Sequence, residues 1–272
     1  MKSVVRNKNV ERASAPRPYP SRRRGRSHIQ LPFVAVTFAI TVDGKVTTKN
    51  YASVDFTSRE DKAHLIRQRA LGDAVLVGHG TIENDNVRLG IPREELRKER
   101  IARGQSPYPI RVIVSNKGRI NPRLKIFESD FAPIIIFSTI RMPLKTRKQL
   151  REKATLYLSQ ARRVDVRWML QELRQDYNVK YVACEGGPSL FRSLLEQGLV
   201  DQLNLTIAPF LFGGENAPTL TGVSFDFLPR SVRCSLKEMK VVGDECFLTY
   251  RILYRSSRVR QLPDREIPAR KH

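Results

Sequence analysis

Five short, almost unbroken apolar runs constrain this chain more than any other feature: 33–40 (FVAVTFAI), 74–77 (AVLV), 111–114 (RVIV), 133–137 (PIIIF) and 180–184 (KYVAC). A strand wetted on one face alternates apolar and polar residues. A short run that stays apolar throughout belongs in a sheet covered on both faces. Between the runs lie stretches with helix character. Ser58 followed by Glu60 and Asp61 is a helix start leading through Ala63, Leu65 and Ile66 to Ala70. A charged stretch at 92–104, segments around 143–153 and 165–176, and 188–197 closed by Gly198 read as further helices. Runs of this kind separated by helices predict parallel strands joined by crossovers. Leu203, Leu205 and Ile207 alternate as a strand does, and 235–241 with 246–253 read as an antiparallel pair turning at Gly243-Asp244. The expected fold is one α/β domain over 31–254: a mostly parallel mixed sheet, an antiparallel C-terminal hairpin, and helices on both faces. No internal repeat interrupts it.

Charge sets the ends apart from this domain. The chain carries a formal net charge of +22. Residues 1–30 hold nine Lys and Arg against Glu11 alone, and 255–272 hold six against Asp264 and Glu266. Pro16, Pro18 and Pro20 with Arg22, Arg23 and Arg24 predict a first segment without a packed core. Both tails read as solvated basic extensions, with nucleic-acid contact as the functional alternative. No run of about 18 apolar residues predicts a membrane span. The cysteines (Cys184, Cys234, Cys246) lack disulfide or zinc spacing, which suits reduced thiols in the cytoplasm. An Arg-rich, acid-poor start also fits an organelle import signal.

Ligands of open parallel sheets bind at the carboxyl ends of the strands. That rule gathers TVDGK (41–45), GHGTIENDN (78–86), SNKGR (115–119) and EGGPS (185–189) at one rim. In EGGPS, Pro188 suits the first helical position, and Gly186 with Gly187 offers backbone that a phosphate can approach. The same residues also describe an ordinary strand-to-helix turn. Gly78, Gly80 and Thr81 offer a similar edge without the GxGxxG register, and Asp85 reads as a cap or as an acceptor for a cofactor amide. Ser115, Asn116, Lys117 and Arg119 supply donors and charge suited to a 2′-phosphate, or a solvated loop. Zinc-deaminase and P-loop signatures are absent, and no metal site is expected. His64 is expected on the polar side of its helix, His79 has a minor claim on a ligand, and Trp168 reads as packing.

Taken in order, AITVDGK (39–45), RALGDAVLVGHGTIENDNVRL (69–89), RVIVS (111–115) and CEGGPSLFRSLLEQGLVDQLNLTIAPFLFGGENAPTL (184–220) resemble the pyrimidine reductases of riboflavin biosynthesis. The resemblance spans roughly 31–254 and implies a dihydrofolate-reductase-like fold using NADPH. The implied reaction reduces the ribosylamino side chain of a phosphorylated aminopyrimidine to ribitylamino. By resemblance, Thr81, Asp85, Ser115, Gly186, Gly187, Pro188, Ser189 and Leu190 serve the cofactor. Arg69, Leu89 and Glu185 serve the substrate, with Arg69 suited to its phosphate, and Glu185 with Asp43 forms the catalytic pair. The chain departs from the family pattern at Val87, where a proline is common, at Thr41 in place of serine, and around Ser53, Val54 and Phe56, where a serine–aromatic pair is usual. Family members are commonly homodimers, and 207–212 (IAPFLF) could serve an interface or the core. The rival readings are a related NAD(P)H reductase of another substrate and a basic nucleic-acid-binding protein. Whether reduction precedes deamination stays open.

Overall fold

A computed structural model describes residues 17–18, 30–48, 55–222, 228 and 231–254. Apart from Arg17, Pro18 and Gln30, the two basic tails lie outside the described residues, as do Ser53 and Val54. The elements are β1 (Arg17–Pro18), β2 (Phe33–Thr41), α1 (Arg59–Leu71), β3 (Ala74–Gly78), α2 (His79–Asp85), α3 (Glu94–Ala102), β4 (Ile110–Ser115), β5 (Ile134–Thr139), α4 (Leu144–Leu150), β6 (Thr155–Ser159), α5 (Val166–Tyr177), β7 (Tyr181–Cys184), α6 (Pro188–Glu196), β8 (Gln202–Ala208), β9 (Arg233–Val242) and β10 (Glu245–Leu253). They build one sheet in the order β1-β6-β5-β4-β3-β7-β2-β8-β10-β9. The pairs from β1 through β8 are parallel; β8–β10 and β10–β9 are antiparallel. The expected architecture, terminal hairpin included, is the observed one.

Each apolar run feeds two cores because alternate side chains point to opposite faces. Val34, Val36, Leu76 and Phe137 join Trp168 and Leu173 of α5 and Leu194 of α6. Val75, Val77, Ile113 and Ile136 join Ile82 of α2 and Leu150 of α4 on the other face. Trp168 is packing, its ring edge-on to Phe137 at 5.4 Å. α1 starts where the sequence signals it: the Ser58 hydroxyl accepts from the Asp61 amide at 3.1 Å.

Two elements differ from expectation. β6 (TLYLS) is only five residues long and follows a charged helical segment, which hid its pattern; Leu156 and Leu158 nonetheless fill one core and Tyr157 the other. Residues 79–85 form a helix where a loop is expected. Gly78 caps that helix without a side-chain bond, so local signals are weak, and the fully buried Ile82 holds it from the tertiary side. The IAPFLF run splits: Ile207 and Ala208 end β8, while Phe210 and Leu211 are exposed.

His64 does not take the polar side of α1. Its ring lies edge-on to Phe247 of β10 at 5.5 Å, and burial, with Arg67 and Lys240 adding, pulls its pKa from 6.5 to about 4. Between those values the unfolded chain binds a proton that the folded chain refuses, so stability falls as pH drops from 6.5 towards 4. The expected loss between pH 7 and 4.5 is about 2–3 kcal/mol from this group. Urea unfolding at the two pH values checks it: His64→Phe should lose correspondingly less, and an equal loss in both proteins would place the acid sensitivity elsewhere.

Candidate active site

The order of strands reverses around β7. The chain crosses from β2 to β3 and proceeds outward to β6, then returns to insert β7 between β2 and β3. β7 is short: Cys184 stands opposite Val36 and Leu76, while β2 runs on to Thr41 and β3 to Gly78. A notch one strand wide is left at the C-terminal edge, where ligands of such sheets sit. Its floor is Glu185-Gly186-Gly187, so the four expected loops do share one rim.

Glu185 follows Cys184, whose side chain belongs to the α5–α6 face, and therefore turns towards α1. There Arg69 grips it with two bonds, Nε to Oε1 at 2.6 Å and Nη2 to Oε2 at 2.7 Å, and Nη1 of Arg69 donates to the Gly90 carbonyl at 2.6 Å. Both side chains are 8% exposed. Arg69, expected at the substrate phosphate, is placed here as the residue that orients this carboxylate. Three of its five N–H donors are held by Glu185 and Gly90, so it positions a carboxylate. Each Glu185 oxygen keeps a second lone pair for ligand hydroxyl or amino groups. Cys184, beneath it, is inert: burial pushes its thiol up to about 12.

Asp43, expected as the second catalytic residue, stands at the turn after β2 and is held by hydrogen bonds. Its carboxylate accepts from the Thr41 hydroxyl, from the Gly213 amide at 2.7 Å and from the Phe212 amide at 3.2 Å. The Thr41 hydroxyl above all, with the two amides, holds it below the usual carboxylate range. It stays ionised and clasps the 210–214 segment against the β2 turn, where Phe212 also meets Phe56 edge-on at 5.2 Å.

Leu89 is buried in the core at φ 56, so its side chain does not line the rim. Gly186 has φ 85, and a Cβ there would meet the Phe38 ring at 2.8 Å. Its bareness makes room for Phe38 and for its carbonyl to accept from the Gly78 amide at 2.7 Å, not for a ligand. The Gly186–Gly187 peptide is cis. Gly187 has an ordinary φ, and only Thr81 Oγ1 comes within 4 Å of its would-be Cβ, at 3.0 Å. At Gly80 nothing does. Bare backbone thus faces the rim at Gly80 and Gly187, beside Thr81 and the amino end of α6, with Pro188 in its first turn and Ser189 and Leu190 following. Asp85 ends α2 and is exposed; Ser115 is buried, its hydroxyl accepting from the Gly118 amide at 3.0 Å.

Sequence reasoning missed Glu245. This residue, 4% exposed at the start of β10, accepts from both the amide and the hydroxyl of Ser58 and pins the amino end of α1. Nothing local announces a contact across 187 residues. Also missed is a buried amide set: Asn204 donates to Thr37 at 3.2 Å and to Gln68 at 3.1 Å.

A carboxylate held on the floor of a notch at the strand-order reversal, with bare glycine backbone on its rim, defines a doubly wound α/β ligand-binding domain. Within that class the chain belongs to the RibD C-terminal domain family, whose model matches residues 32–248. It is 30% identical over 222 residues to the 2,5-diamino-6-ribosylamino-4(3H)-pyrimidinone 5′-phosphate reductase of Methanothermobacter thermautotrophicus, covering 81% of this chain and 98% of that protein. The enzyme of the same description from Archaeoglobus fulgidus is 29% identical over 221 residues, with the same coverage. The riboflavin biosynthesis protein RibD of Actinobacillus pleuropneumoniae is 26% identical and only 57% covered. Among solved structures, a pyrimidine reductase-like protein of Corynebacterium diphtheriae shares the fold, with TM-score 0.71 at 20% identity over 82% of this chain and 92% of that one.

Proposed function

We propose that this protein is the NADPH-dependent reductase that converts the ribosylamino side chain of 2,5-diamino-6-ribosylamino-4(3H)-pyrimidinone 5′-phosphate to ribitylamino. The observation that carries the reading is the Arg69–Glu185 pair on the notch floor, in a chain that matches two reductases of that description over 98% of their length. The rim fits a dinucleotide: Gly80 and Gly187 leave backbone unobstructed, Thr81 offers a hydroxyl between them, and the positive end of α6 faces the same edge. Lys117 and Arg119 beyond Ser115 would favour the 2′-phosphate that separates NADPH from NADH. When bound, the cofactor supplies hydride. This chain's own residues orient the substrate and exclude water. Glu185, fixed by Arg69, accepts hydrogen bonds from substrate groups and holds the reacting carbon in register with the rim. Asp43 keeps the 210–214 segment closed on the β2 turn.

A homodimer fits the exposed Phe210 and Leu211 and the outer strand β9, which leaves Leu236, Met239 and Val241 exposed.

NADPH oxidation followed with the diaminopyrimidinone phosphate and, separately, with its deaminated pyrimidinedione counterpart tests the assignment. Turnover with the diamino compound is expected to exceed that with the deaminated one. Absence of turnover with both, despite NADPH binding, would overturn it.

A further inference from the structure

Glu185 is one member of a row that crosses the sheet. It follows Cys184, which stands opposite Val36, and its amide still donates to the Leu76 carbonyl at 2.9 Å, so it lies level with Thr37 of β2. Thr37 in turn stands opposite Asn204 of β8. Val36 and Leu203, the residues before them, belong to the α5–α6 core, so Thr37 and Asn204 take the other face, beneath α1. Three neighbouring strands span about 10 Å, and two consecutive residues of α1 hold the two ends of that span. Arg69 grips Glu185, and Gln68 Oε1 accepts from Asn204 Nδ2 at 3.1 Å. Asn204 Nδ2 also donates to Thr37 Oγ1 at 3.2 Å, and Asn204 Oδ1 accepts from Gln202 Nε2 at 2.9 Å. Thr37, Gln68 and Asn204 are all buried.

The apolar side chains of α1 lie elsewhere. Leu71, at its carboxyl end, packs with Phe33, Ala35 and Ala183, and Ala70 with Ile66 meets Leu96 of α3. Contacts of that kind carry no direction, whereas hydrogen bonds weaken steeply once misaligned. The amino end of α1 is pinned separately, by Glu245 on Ser58. Consecutive helical residues point about 100° apart around the axis, so two grips fix both the roll and the height of the turn that carries Arg69. One grip through a long arginine side chain would leave that turn free to roll. A satisfied polar network of this kind adds rigidity more than it adds stability.

We propose, on the reductase reading of this site, that Gln68, Asn204 and Thr37 are positioning residues: they hold the Arg69 turn over the sheet and so set where the Glu185 carboxylate meets the substrate. They act on the chemistry only through Arg69.

Gln68→Met keeps an unbranched side chain and removes the acceptor. Measured well below its melting temperature, it should lower kcat by about 10–100-fold and leave NADPH affinity within about threefold of the parent's. Thr37 separates direction from packing. Thr37→Val keeps the shape and loses the hydroxyl, while Thr37→Ser keeps the hydroxyl and loses a methyl. The serine variant should turn over at least about threefold faster than the valine variant; a row that only packs the fold would reverse that order. Should Gln68→Met fold poorly, the Thr37 pair carries the same test. A second readout needs no substrate: the NMR signal of the Arg69 Nε–H, identified by its loss from Arg69→Met/Glu185→Leu. Its exchange with water should be at least about tenfold faster in Gln68→Met than in the parent. Parent-like kcat in folded Gln68→Met, or a valine variant faster than the serine one, would overturn the positioning role in a parent that is itself active. Slower turnover with unchanged Arg69 exchange would overturn it too, since the row would then not act through Arg69. A parent that reduces neither pyrimidine overturns the reductase reading instead, and the hold of the row on Arg69 then stands or falls on the exchange rate.

Discussion

Glu185→Gln should lower kcat by about two orders of magnitude or more while leaving NADPH affinity within about threefold. The amide keeps the size of the carboxylate but presents an NH2 where Arg69 already presents a donor, so one of the two bonds becomes a donor–donor contact. The guanidinium must then turn, and the surviving oxygen no longer sits where two bonds held it. A fall in cofactor affinity as large as the fall in kcat would put Glu185 on the cofactor side and sink the substrate-side role. Stability has to be separated from chemistry, because both side chains are 8% exposed and losing one partner strands a buried charge, at about 3–5 kcal/mol. The double variant Arg69→Met/Glu185→Leu does so. Replacing a buried pair by apolar groups is often neutral for folding. It should therefore melt closer to the parent than Glu185→Leu does, yet reduce no substrate. Activity that returned with stability would mean that the pair only holds the fold.

Most of this architecture is legible in the sequence because it rests on short-range pattern. Unbroken apolar runs require cover on both faces, and the spacing between them requires crossovers, so β2, β3, β4, β5 and β7 could be placed without coordinates. β6 was not, since five residues flanked by charge carry too little pattern. The rim was legible for the same topological reason, but the roles on it were not. Arg69 reads as a phosphate ligand with no sign of the carboxylate and carbonyl it holds, and Asp43 reads as catalytic with no sign of the Gly213 and Phe212 amides it accepts from. Glu245 on Ser58 joins positions 187 apart, and such pairings follow from the finished sheet rather than from any local signal.

The two glycines of the notch floor should respond to the same substitution in opposite ways. Gly186→Ala places a methyl at φ 85, a conformation L-residues rarely adopt, and drives it to 2.8 Å from the Phe38 ring, which is itself packed 5.4 Å from Phe191. The backbone term alone costs about 1–3 kcal/mol and the displaced ring adds to it, so a clear drop in melting temperature is expected. Phe38→Leu should relieve the ring contact and recover part of that drop, while the backbone term persists. Gly187→Ala is different: its φ of −83 suits any residue, and the one neighbour within 4 Å is the Thr81 hydroxyl, which can rotate away. Folding should be nearly unchanged. The methyl would then stand on the rim, between the Thr81 hydroxyl and the amino end of α6, where a phosphate needs bare backbone, and NADPH affinity should fall at least tenfold. Calorimetric melting with NADPH titration of each variant separates the two. A Gly187→Ala protein that binds NADPH like the parent would leave Gly187 a turn residue alone and move the cofactor's phosphates off this edge.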